Sequence, residues 1–148
     1  MKKFILAAVA AAAFSANAMD VGFNGFEAIH KPTKQHGGSV TISENVSGLD
    51  VSGGFGRVEG VNGYDRWTAN LGKELVKLGP LGLNGRVGLA YIDNKVGKDG
   101  SALTAGLGAT VPLTKKFSIT ASFDHQFGSN TVANSKGNVV TAGFKVGF

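Results

Sequence analysis

Asp124, His125 and Ser129 are the side chains of a serine hydrolase crowded into one short segment. Such chemistry needs a hydroxyl activated by an imidazole that an acid in turn orients. The spacing is His-x-x-x-Ser, and four residues along an extended strand cover roughly 13 Å, beyond hydrogen-bond reach unless the chain turns there. Asp124 and His125 are adjacent, so on a strand they point to opposite faces and the acid is badly placed. A rim His beside a turn Ser is the preferred reading, and no enzymatic activity is expected. His30, His36 and His125 are scattered and Cys is absent, so no metal cluster is expected either. No cofactor is implied, because the glycines lack the strand–helix context of a phosphate-binding loop.

A second set of candidates is charged. Glu74, Arg86, Asp124 and Lys145 are isolated charges on otherwise small, polar strand faces. With a hairpin centred near Pro80, Glu74 and Arg86 stand opposite each other, each six residues out. Mutual compensation there is a structural role; a proton or ion path is the sharper alternative. Lys31, Lys34, Lys95, Lys98 and Lys136 fall in connections rich in Gly, Asn and Asp, with His30 and His36 nearby. They could attract phosphates or acidic polysaccharides by charge. Solvated lysines with no specific partner are the alternative.

These residues sit on segments that alternate with a period of two. Leu83, Gly85, Val87, Leu89 and Tyr91 share one parity, as do Leu103, Ala105, Leu107, Ala109 and Val111. Phe117, Ile119, Ala121, Phe123 and Phe127 form a third stripe, and Val140, Ala142, Phe144, Val146 and Phe148 a fourth. On a helix these residues would scatter around the axis, so they predict strands. Four noisier strands are predicted before them, over Val21–Ile29, Ser39–Val46, Leu49–Val58 and Arg66–Lys77, with a bulge in the first near Asn24-Gly25. Connections at Asn45–Gly48, Leu78–Leu81 and Pro112–Lys115 are short. Those at His30–Gly38, Glu59–Asp65, Asp93–Gly100 and Gly128–Gly137 are long, and the two kinds alternate.

Residues 1–18 read as a cleavable signal peptide: Met1-Lys2-Lys3, an apolar run from Phe4 to Phe14, and a Ser15-Ala16-Asn17-Ala18 ending. The run falls short of the ~20 apolar residues of a membrane-spanning helix. Residues 19–148 form the single expected domain. With 23 Gly in 148 residues, an all-helical fold is disfavoured, since each interior Gly costs a helix about 1 kcal/mol. Without Cys, disulfide scaffolds are excluded. The net charge of +5 includes two leader lysines, too little to argue for nucleic acid.

The polar stripe distinguishes the two kinds of β-barrel. Its residues are mainly Gly, Thr, Ser, Asn and Ala, whereas a water-facing sheet carries many Lys and Glu. Small polar residues suit a narrow lumen, and the apolar stripe then faces lipid. The leader, eight strands, alternating connections and the ending Phe144-Lys145-Val146-Gly147-Phe148 resemble the small outer-membrane barrels of the OmpA, OmpX and opacity/adhesin type. The resemblance implies an all-β, eight-stranded antiparallel up-and-down transmembrane barrel in the bacterial outer membrane. It implies that Phe144, Val146 and Phe148 form the signal read by the barrel-assembly machinery. Both termini then lie in the periplasm and the four long loops outside. The expected protein is a monomer with a structural or surface-interaction role, in contact with outer-membrane lipids and lipopolysaccharide. A narrow small-solute channel and a lipid A-modifying hydrolase are the alternatives. The lipid A 3-O-deacylase pattern is His-x-Ser-Asn with a downstream Glu, and here no Glu follows Glu74. Two residues resist this reading: Lys73 and Glu27 share the lipid-facing parity, where a mid-membrane Lys costs ~2–4 kcal/mol.

Overall fold

The chain is described by a computed structural model covering residues 19–30, 33–60 and 62–148; the expected signal peptide at 1–18 and Lys31 lie outside the described residues. Each alternating segment forms a strand: β1 (Met19–His30), β2 (Thr33–Val46), β3 (Leu49–Val58), β4 (Tyr64–Leu78), β5 (Leu81–Asn94), β6 (Gly100–Pro112), β7 (Phe117–Gly128) and β8 (Gly137–Gly147). Every strand pairs antiparallel with its chain neighbours, and β1 pairs with β8 to close the barrel. Closure leaves no unpaired edge, the condition for placing a sheet in lipid.

The strands are steeply staggered. Val21 leads through Ile42, Gly53, Ala69, Leu89 and Leu103 to Phe127, near the end of β7. Across the closing seam, however, Val21 faces Val146, near the end of β8 and the opposite rim. This offset is the shear that a tilted barrel requires.

One rim is tight, with connections at 47–48, 79–80 and 113–116. Ser47 and Gly48 both have positive φ, 54° and 83°, as a primed two-residue hairpin turn demands. The other rim has connections at 31–32, 59–63, 95–99 and 129–136. The first of these departs from the expected long loop. Gly37 and Gly38 pair with Phe26 and Gly25, and Lys34 and His36 belong to β2. A ladder is made of backbone hydrogen bonds, so Thr33–Gly38 joins it without an apolar stripe. β1 likewise runs unbroken through Asn24-Gly25, and the expected bulge is absent there. A register shift occurs instead in β4, between Glu74 and Val76.

The two faces are inverted relative to a water-soluble barrel. Phe23, Leu71, Val87, Leu89, Leu103, Leu107, Phe123 and Phe127 are all exposed on the outer surface. Such a continuous apolar belt is far larger than the patches soluble monomers tolerate. Inside, glycines make room for neighbouring side chains: a Cβ on Gly54 would lie 2.9 Å from both Thr41 Cγ2 and Thr68 Oγ1. The lumen is not polar throughout. Phe26, Ala28, Val58, Tyr64, Ala90, Ile92, Ala102 and Val139 are buried in a cluster near the rim opposite the tight turns. They share the inward parity, and they plug the barrel at that end.

Candidate functional site

Below the plug, the lumen holds a polar network. Arg86 on β5 makes a bidentate pair with Asp124 on β7, whose side chain is 3% exposed. Ser122 Oγ also donates to Asp124 Oδ2, at 3.4 Å. The expected Glu74–Arg86 pair does not form. The hairpin is centred between Gly79 and Pro80, with Leu78 opposite Leu81, and the bulge shifts the ladder once more. Arg86 therefore faces Gly72, and Glu74 faces Asn84 and is exposed. Lys145 does lie on the lumen side and pairs with Asp20 at 3.0 Å.

A second lumen guanidinium belongs to Arg66, near the start of β4, which the apolar stripes alone do not single out. Its parity with Thr68 and Asn70 was the available signal. With the Gln126 amide turned so that its carbonyl faces Arg66, Nε and Nη2 donate to that oxygen at 3.1 and 3.2 Å. Below these residues lies a cavity of about 150 Å³, lined by hydroxyls, amides and both arginines.

The rim opposite the tight turns is laced together. Gln35 Nε2 donates to Asn62 O at 2.9 Å, and Lys95 N donates to Gly63 O at 3.1 Å. Asn94 Nδ2 donates to Lys98 O and Ala133 O, while Asn134 Nδ2 donates to Asn94 Oδ1 at 2.8 Å. His30 Nδ1 bonds Lys136 O at 2.9 Å. Every connection described at this rim is thus tied to a neighbour. Lys34, Lys95, Lys98 and Lys136 remain exposed. Lys34 and His36 project from β2 beside Glu27, at 3.4 and 3.7 Å. Glu27 is therefore an outward, ion-paired rim residue. Arg57 and Asp65, neither singled out in the sequence, form an exposed bidentate pair at 2.8 and 2.9 Å. The Arg57 guanidinium also lies 5.7 Å from the Phe55 ring centroid, an arrangement that favours a cation.

The hydrolase candidates are kept apart. His125 Nδ1 bonds Asn138 Oδ1 at 2.7 Å on the outer face, Ser129 Oγ bonds Thr131 Oγ1 at 2.8 Å, and Asp124 is committed to Arg86. Among the described residues, no cluster suited to a metal occurs. At the closing seam, Phe144 stacks between Phe23 and Phe117, with centroids 5.5 and 5.6 Å away. Val146 faces Val21 and Phe117, and Phe148 N donates to Met19 O at 3.0 Å.

No protein-family model matches the chain. No curated protein matches it either. Solved structures do. The N-terminal β-barrel domain of Pseudomonas aeruginosa OprF is 18% identical, with 89% of this chain and 98% of that one covered at a TM-score of 0.68. Neisserial surface protein A follows at 15% identity, 88% and 96% coverage and a TM-score of 0.63. Yersinia pestis Ail in a phospholipid nanodisc is 14% identical, with 90% and 100% coverage and a TM-score of 0.59. Ail in complex with the heparin analogue sucrose octasulfate matches at 16% identity, 88% and 97% coverage and a TM-score of 0.51. At these identities the likeness is one of architecture: the chain has the fold of the small eight-stranded outer-membrane β-barrels.

Proposed function

We propose that residues 19–148, freed of a signal peptide at 1–18, form an outer-membrane barrel that presents exposed rim lysines to acidic polysaccharide. The observation that carries this reading is the inside-out arrangement: an exposed apolar belt around a sealed polar lumen. In that orientation the tight turns face the periplasm and the laced rim faces outward. The exposed rim residues Lys95, Lys98 and Lys136, with Lys34 shared with Glu27, are the cations for lipopolysaccharide phosphates or sulfated glycans, and Lys31 is assigned to the same set from the sequence. The complex of Ail, a barrel of the same fold, with a heparin analogue supports such contacts for this architecture. The role is structural and adhesive, the protein acting as a monomer without a cofactor or nucleic acid. Phe144, Val146 and Phe148 would be read by the barrel-assembly machinery.

The reading is tested by replacing Lys31, Lys34, Lys95 and Lys98 with Gln and measuring binding to immobilised heparin and to lipopolysaccharide. Weakened binding that also falls with added salt is expected. Unchanged binding would remove the polyanion role. Recovery of the protein from the soluble periplasmic fraction would remove the membrane assignment itself. A narrow channel is disfavoured by the plug of Phe26, Tyr64, Ile92 and Val139. The separation of His125, Ser129 and Asp124 argues against a hydrolase.

A further inference from the structure

We propose that the lumen cavity binds a small inorganic anion, no larger than phosphate, with Arg66 as its fixed counter-charge. Two guanidiniums, Arg66 and Arg86, line the head of the cavity, and behind them stands one carboxylate, Asp124, paired with Arg86. Arg86 occupies both oxygens of that carboxylate. Arg66 has the Gln126 carbonyl, a neutral acceptor that takes two of its five N–H donors and cancels none of its charge. A net positive charge is thus held in a narrow polar chamber. Cations are costly to keep away from bulk water unless they are paired.

The chamber suits an anion in size and lining. Its volume of about 150 Å³ admits several waters or a partly hydrated ion. Thr68, Asn70, Thr120 and Ser122 line it. The Thr120 and Ser122 hydroxyls donate to Asn24 Oδ1 and Asp124 Oδ2 at 3.4 Å, which leaves the Thr68 hydroxyl and the Asn70 amide as the donors that can turn to an anion. Entry is from the tight-turn rim, because the lining continues down to Ser43, Asp50, Asn84 and Lys145 while the opposite end is plugged. The charges near the entrance, Lys145, Asp20, Asp50 and Glu74, do not compete at the head. Glu74, opposite Asn84, is eight residues along β4 from Arg66, roughly 26 Å away. Lys145 is neutralised by Asp20. Asp50, which accepts from Asn45 Nδ2 at 2.9 Å, is six residues along β3 from Gly56, the partner of Arg66, roughly 20 Å away.

The experiment uses the refolded barrel in zwitterionic micelles, with arginine Nε–H signals followed by nuclear magnetic resonance. Sodium chloride and sodium phosphate are titrated in turn at constant ionic strength, balanced with sodium gluconate as a bulkier reference anion. A saturable shift at Arg66, echoed at Arg86, is expected with chloride or phosphate. Arg66→Gln should weaken the Arg86 response at least tenfold. Thr120→Leu fills the chamber from another wall without altering charge and should do the same; it decides the matter if Arg66→Gln does not refold. A linear or absent shift, or a saturable shift that survives either substitution, overturns the proposal.

Discussion

Arg86 and Asp124 lie two strands apart, and the residue between them in the ladder is Gly106. Arg86 faces Gly106 on β6, and Gly106 faces Asp124 on β7. Only a residue without a side chain lets the guanidinium cross β6 to reach the carboxylate. A Cβ on Gly106 would collide with the Asp124 carboxylate and with the Phe123 carbonyl. The pair and the glycine are one device.

Gly106→Ala is therefore expected to destabilise the barrel by about 2 kcal/mol, because overpacking forces a backbone shift or expels the arginine. Gly25→Ala is the control. It lies on the outer face of β1 with nothing within 4 Å of a Cβ, and should be neutral or slightly stabilising. Chemical denaturation in lipid vesicles, read by tryptophan fluorescence, compares the two. Equal costs would show that lumen space is not what Gly106 provides.

Asp124→Asn leaves Arg86 facing a neutral amide in a confined lumen. The loss expected from removing one partner of a largely buried pair is about 3 kcal/mol. Arg86→Gln combined with Asp124→Asn should recover part of it, since two neutral amides can still bond each other. The double variant being less stable than both singles would refute this account.

Lys73 lies on the outer face opposite Gly85, above the bulge that turns Leu75 over Gly85. Its amino group can reach towards the nearby tight-turn rim, so its penalty should be small. Lys73→Leu is expected to stabilise the protein in vesicles by about 1 kcal/mol. A gain beyond about 3 kcal/mol would put the lysine at the membrane midplane instead.

The plug predicts a closed lumen. In planar bilayers the wild-type barrel should show no steady conductance. Tyr64→Ala combined with Ile92→Ala, which removes two of the largest fully buried side chains, should create a measurable leak. Steady conductance of the unaltered protein would mean that the plug is open in lipid.

The strands and their facing were legible because parity is a local property. Leu103, Leu107, Phe123 and Phe127 announce an outward stripe without any knowledge of their neighbours. What was not legible depends on pairing. Lys34 and His36 read as loop residues because polar Thr33–Gly38 has no apolar alternation, yet backbone pairing to β1 makes them strand. Arg57 and Asp65 lie at the end of one strand and the start of the next, a relation that only register reveals.

From the sequence alone came the class of the molecule: eight alternating segments, an inverted polar face and the positions of most turns. Each follows from a two-residue period or from turn chemistry within a few residues. The tertiary structure decided the partners. Arg86 turned from Glu74 to Asp124 because the hairpin centre lies between Gly79 and Pro80 and the ladder shifts at Glu74/Val76. Arg66 came to face Gln126 at the head of a cavity, and the far end of the lumen filled with apolar side chains. Register is cumulative around a closed barrel, so one bulge reassigns contacts that no single strand encodes.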